Sequence, residues 1–172
     1  GAPPGLELFF DDRPMMLSRW PNEGFADVVD TDGPIEKNRR GWDVCRTGRF
    51  VYSGDRPRRW LQEKAPWVHG YWFHDWADQR HPVADIDPDR HVIAVAPPLH
   101  HYGYRKGKWF YAFNLLCEID APGEWYLERD SGVLYFWPPH TDWKTGRPTV
   151  SLIDSLISMQ DASYVTIQGL VL

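Results

Sequence analysis

Proline and glycine break this chain so often that its apolar residues never build into a long run. Fifteen prolines and fourteen glycines fall between short apolar stretches. Helices do not tolerate that punctuation, because proline removes a helical hydrogen bond and glycine adds backbone entropy. The pattern predicts many short strands and a mainly β fold. Pro122–Pro139, PGEWYLERDSGVLYFWPP, is its clearest instance. Glu124 to Glu128 alternates, with Trp125 and Leu127 on one face and Tyr126 and Glu128 on the other. Val133 to Trp137 is a continuous apolar and aromatic run, the pattern of a strand buried on both faces. Between them, Asp130 and Ser131 favour a type I turn, and Gly132 supplies the positive φ of a three-residue hairpin loop. Pro138 and Pro139 then end the second strand, since proline donates nothing to a ladder.

Elsewhere the same reasoning gives a hairpin of Leu6 to Phe10 with Met15 to Trp20, and a strand at Phe25 to Val29. Asp30 to Gly41 reads as loop. Arg49 to Ser53 reads as a strand, Arg56 to Lys64 as a turn of helix or a loop. Trp67 to Trp76 is an aromatic-rich strand with Gly70 as a bulge or close-approach point. Val83 to Ile86 and His91 to Ala96 are further strands, and Trp109 to Leu116 is a strand or a helical turn. The tail differs in kind. Val150 to Ile153, Leu156 to Met159, Tyr164 to Ile167 and Leu170 to Leu172 are short apolar segments, the pattern of one β-helix rung. A single rung cannot bury its own face, so the chain is read as cut from a longer protein. The alternative is a last strand in a self-contained sheet. The expected architecture is a small antiparallel β-barrel or sandwich over residues 1–148, followed at 149–172 by the first rung of a right-handed parallel β-helix.

A chain of 172 residues, 42% hydrophobic and 25% charged, has the composition of a folded domain with a core. The net charge of -5 argues against nucleic acid as partner. No apolar window of about 18 residues is present, which argues against a membrane span. No signal peptide or initiator methionine is evident, and Gly1 is consistent with removal of an upstream segment. Cys45 and Cys117 are the only cysteines. A bridge between them and two free thiols are both open.

Ligand chemistry concentrates in the run Trp67 to Asp78. Sugar rings present C–H faces that stack on flat aromatic surfaces, and nearby Asp and His can bond the hydroxyls. Trp72, His74, Asp75 and Trp76 are therefore the candidate carbohydrate-binding residues. In an extended strand Trp72, His74 and Trp76 share one face. The competing explanation is that these tryptophans are core, or pack on a partner domain. Six of the histidines (His69, His74, His81, His91, His100 and His101) show no zinc spacing, and no metal or cofactor is expected. A glycosidase needs two carboxylates roughly 5 to 10 Å apart. Glu118, Asp120, Glu124, Glu128 and Asp130 crowd the hairpin region, but Glu124 and Glu128 would stand about 13 Å apart along a strand. Solvated strand and turn charges explain them better. Arg56, Arg58 and Arg59 beside Trp60, with Arg39 and Arg40 upstream, are able to hold carboxylates or sulfates of an acidic polysaccharide, or form a solvated loop.

The stretch Pro122–Pro139, followed by SYVTIQGLVL at the C-terminal end, resembles the segment that precedes the rungs in right-handed parallel β-helix carbohydrate-active proteins. The opening LELFFDDRPMMLSRWPNEGF is similar to the start of that segment. Within the group the chain most resembles the insertion domain of proteins like glycoside hydrolase family 141. The resemblance covers nearly the whole chain, and its motifs are structural. It implies catalytic carboxylates on the β-helix itself, so no catalytic residue is assigned here. It further implies a secreted or periplasmic protein acting on plant-type glycans such as xylan or fucosylated pectin. The expected function is a non-catalytic accessory domain of a larger β-helix glycoside hydrolase. Such a domain is inactive alone, packs on the β-helix domain of its parent chain and is able to wall its substrate cleft. The alternative is an independent carbohydrate-binding module using exposed tryptophans. A complete small hydrolase ranks last.

Overall fold

The computed structural model describes residues 5–152 and 155–170. Within them the chain forms sixteen short strands and three turns of 3-10 helix. In chain order the strands begin with β1 (Leu8–Phe10), β2 (Arg13–Pro14), β3 (Met16–Leu17), β4 (Arg19–Trp20), β5 (Ala26–Val28) and β6 (Asp30–Thr31). They continue with β7 (Ile35–Lys37), β8 (Asp43–Cys45), β9 (Arg49–Val51), β10 (Trp67–Tyr71) and β11 (Gln79–Asp87). The last five are β12 (Val92–Val95), β13 (Lys108–Phe113), β14 (Glu124–Glu128), β15 (Val133–Phe136) and β16 (Pro148–Val150). The 3-10 turns are Arg56–Gln62, Leu116–Glu118 and Trp143–Thr145.

The principal sheet has eight strands, ordered β4-β13-β10-β11-β12-β9-β6, with β5 also on β13. β5 and β6 are one residue apart, yet they pair with β13 and β9 towards opposite ends of that order. The sheet therefore curls round its core, although no sheet closes into a barrel. Inside it Phe50 packs against Trp72 and Phe110, with ring centres 5.1 and 4.8 Å away. Val68, Ile93, Tyr104 and Leu115 complete the fully buried centre. The strands on this sheet alternate as a one-faced sheet should: Val68, Phe110 and Ala112 point in.

Two smaller sheets, β16-β1-β2 and β15-β14-β3, flank it, and β7 pairs with β8 alone. The hairpin β14–β15 forms in the expected register, with Trp125 opposite Phe136 and Glu128 opposite Val133. Gly132 takes φ 72° and its N–H donates to the Glu128 carbonyl at 2.8 Å. The first segment is more divided than its pattern predicts. β1 pairs with β2, but β3 joins β14 in parallel and β4 joins β13. The stretch read as loop from Asp30 to Gly41 contains β6 and β7, whose polar residues carry no apolar alternation. Trp109 to Leu116 resolves into β13 and a following 3-10 turn.

Three expectations are corrected. The aromatic strand at Trp67 stops at Tyr71, so the face-sharing predicted for Trp72, His74 and Trp76 does not arise. The apolar run of β15 is an exposed edge rather than a buried strand: Val133, Leu134 and Tyr135 all face solvent. No parallel β-helix rung is evident in the tail. Leu156 to Met159 and Tyr164 to Ile167 form no strand, because among the described residues no neighbouring strand lies beside them to complete a ladder. The expected segments at Ile153 and at Val171 and Leu172 lie outside the described residues. Cys45 and Cys117 are both free thiols. Burial and the adjacent Glu63 push the Cys117 thiol up to about 12.

Candidate functional site

A surface groove of about 970 Å³ lies between the β7–β8 hairpin, the loop after β10 and the turn at His101–Tyr102. Each wall has an identifiable cause. Asn38 closes the β7–β8 turn: its side-chain oxygen accepts from the N–H of Arg40 at 2.9 Å and of Trp42 at 3.0 Å. That turn carries Arg39, Arg40 and Trp42 into the groove. The loop after β10 begins at Trp72, whose indole N–H donates to the Gln79 carbonyl at 2.9 Å. Gly70 permits this fold-back, since a Cβ there would sit 2.7 Å from the Trp72 ring. The sequence reading of Gly70 as a close-approach point was the right one of its two options. The third wall is fixed by Tyr104, which exchanges backbone hydrogen bonds with Cys45 at 2.8 and 3.0 Å.

The four candidate residues separate. Trp72 is core, 1% exposed and packed on Phe50 and Tyr104. Asp75 is exposed and paired with Lys108, away from the groove. His74 and Trp76 come together in it: their rings stack 4.9 Å apart at 13°. Trp76 is 69% exposed. Tyr102 meets both rings edge-on, at 4.9 and 5.4 Å. Trp42 meets His74 edge-on at 5.7 Å. Trp42 and Tyr102 were not singled out from the sequence. The signal available for Trp42 was the Asn38–Gly41 turn, and for Tyr102 the adjacent histidine pair.

Cations surround this aromatic floor. Lys37, Arg39, Arg40 and Arg46 line the groove, and among the described residues no Asp or Glu does. Lys37 pairs with Asp43 at 2.7 Å and Arg46 approaches Glu36 at 3.6 Å. Arg46 also donates to the His101 carbonyl at 3.3 Å, tying two walls together. The arginine cluster read from the sequence divides here. Arg56 is bound by Glu118 and Asp120, Arg58 by Asp89, and Arg59 by the Cys117 carbonyl. Only Arg39 and Arg40 of that set reach the groove.

The acidic crowd is likewise occupied. Glu118 is fully buried and accepts from the Trp60 indole at 2.6 Å as well as from Arg56. Glu124 is buried and accepts from the N–H groups of Asp120 and Ala121 at 2.8 and 2.9 Å. Glu128 pairs with Lys64 at 2.7 Å. The groove thus offers stacking surface and fixed positive charge, without a carboxylate pair for hydrolysis. A second aromatic row runs along the other face of β10 and β13, buried at its Trp67 and Phe113 end. There Trp67, His69 and Tyr71 stand directly opposite Phe113, Tyr111 and Trp109. His69 stacks on Tyr111 at 4.9 Å, and burial holds its pKa below the usual range.

No protein-family model matches this sequence, and no curated protein matches it. A solved structure named glycoside hydrolase does match in fold, with a TM-score of 0.57 over 84% of this chain at 13% identity. The fold is glycoside hydrolase-like. The match covers 26% of that longer chain, so this chain spans about a quarter of its length. At that identity the likeness speaks for the fold and carries no residue roles across. No helix of the described residues is long and apolar enough to cross a membrane.

Proposed function

We propose that this chain is a non-catalytic accessory domain of a larger secreted or periplasmic glycoside hydrolase. It packs on another domain of the same parent chain and contributes a wall for polysaccharide. The observation that supports this reading is the position of its exposed apolar surface. Most large hydrophobic residues that face solvent fall after Ser131, from Val133 on the β15 edge to Leu170 in the tail. Leu152, Leu156 and Tyr164 are 79%, 65% and 105% exposed. A monomer seldom leaves so much contiguous apolar chain uncovered. The glycoside hydrolase-like fold, matched as part of a longer chain, agrees with it. The described residues that line the groove include no carboxylate, which argues for contact rather than cleavage.

The test is to read the gene on both sides of these residues and to compare amide exchange in the isolated chain and its parent. The proposal expects further strands after Leu172, and protection of 155–170 in the parent alone. A stop codon there, with equal exchange in both samples, sinks it. An independent carbohydrate-binding module is the second reading, favoured by the exposure of Trp76 beside Tyr102, in a groove that Trp42 also lines.

A further inference from the structure

The geometry points to a groove selective for a sugar carrying a negative charge, either a uronate carboxylate or a sulfate ester. This inference rests on the carbohydrate-contact reading above and adds the chemical class of the sugar. Three observations carry it. The floor is aromatic, with Trp76 largely exposed and held in place by His74 and Tyr102. The rim is cationic, and Arg39 and Arg40 have no carboxylate within 4.0 Å among the described residues. No acidic side chain of the described lining would repel an anion. Guanidinium groups bind carboxylate and sulfate oxygens through paired N–H donors, whereas a neutral sugar hydroxyl leaves that charge unanswered.

The positive surface is local. It stands on a chain of net charge -5, which disfavours a long polyanion such as nucleic acid. It suits a short charged unit seated in a groove whose volume is ordinary for a small-ligand site. The turn that holds Arg39 and Arg40 is fixed by Asn38, so both cations are presented by a closed hairpin rather than an open loop.

Calorimetry on the 172-residue chain tests the inference, with an oligogalacturonate, a sulfated oligosaccharide and a neutral xylo-oligosaccharide of equal length. At least one charged sugar should bind roughly tenfold more tightly than the neutral one, and which one binds identifies the anion. That preference should fade at about 0.5 M salt. The double variant Arg39→Ala with Arg40→Ala should lose roughly tenfold in affinity for the charged sugar. Trp76→Ala, which changes no charge, should weaken it as well. Equal binding of all three sugars, unmoved by the arginine changes, overturns charge selection and leaves sugar contact standing. No binding of any sugar overturns both. Equal binding of a single-stranded oligonucleotide, with Trp76→Ala silent, marks a general polyanion patch and also overturns the inference.

Discussion

Glu118 has no exposed surface, yet it is a carboxylate. It is kept by its partners: Arg56 donates through Nε to both oxygens, Trp60 donates its indole N–H, and Arg59 stands 3.9 Å away. Removing this carboxylate leaves the buried Trp60 indole N–H without its acceptor and takes from Arg56 one of its two carboxylate partners, which together cost about 3 kcal/mol. Glu118→Ala is therefore expected to lower stability by about 3 kcal/mol, read as a fall in the urea midpoint at unchanged slope. Glu118→Gln retains an acceptor for Trp60 and should lose less. His81 carries the second residue-scale prediction. It is 1% exposed, and burial, helped by neighbouring His100, pulls its pKa down to about 4. Its Nε2 lies 3.2 Å from the Tyr104 hydroxyl. The unfolded chain takes up this proton near pH 6.5, while the native state resists until about pH 4. Stability should hold above about pH 6.5 and fall as pH drops towards 4, by a loss of order 3 kcal/mol from this group. His100, lowered mainly by burial, pulls in the same direction. Denaturation midpoints measured between pH 7 and 4 should lose much of that slope in His81→Gln; an unchanged slope refutes the assignment.

Individual elements decide where the groove can exist. The turn before Tyr104 depends on Gly103, at φ 82°. An added Cβ would stand 2.3 Å from Val44 Cγ2 and 2.6 Å from the Cys45 carbonyl oxygen. Gly103→Ala combines a disfavoured backbone with a backbone clash, so a loss of about 2 kcal/mol is expected, seen as a lowered Tm. Groove affinity for charged sugar should fall too, because Tyr102 moves with the turn. Legibility in the sequence follows element type. β14 and β15 were readable because turn chemistry and apolar pattern agree there. β6, β7 and β8 were not, since Asp30–Thr31 and Ile35–Lys37 are mostly polar and carry no apolar alternation. The candidate site was half readable. Aromatic density drew attention to His74 and Trp76, but strand periodicity extended past Tyr71, where β10 ends, grouped the core residue Trp72 with them. Trp42 reaches His74, and Tyr102 reaches Trp76, through pairing of β8 with Tyr104, a long-range contact that leaves no local pattern.

At the scale of the whole molecule, well-covered and uncovered regions are separate. The curled eight-stranded sheet buries Phe50, Phe110 and Phe113, whereas β15 is an edge strand whose Val133, Leu134 and Tyr135 lie open at 46%, 40% and 42%. An apolar edge with unpaired backbone groups is a template for another chain. The net charge of -5 opposes association only over the screened range of surface charge. The isolated chain is therefore expected to self-associate with rising concentration, as seen by sedimentation, through the same face that the accessory reading gives to the parent. Val133→Lys with Leu134→Lys should abolish that association. Because both side chains are already solvent-facing, the pair should move Tm by only about 2 °C. Association that survives both lysines would place the contact elsewhere and remove β15 from the docking face. Association that disappears, together with loss of protection for 155–170 in the parent, would tie edge and tail to one covered surface.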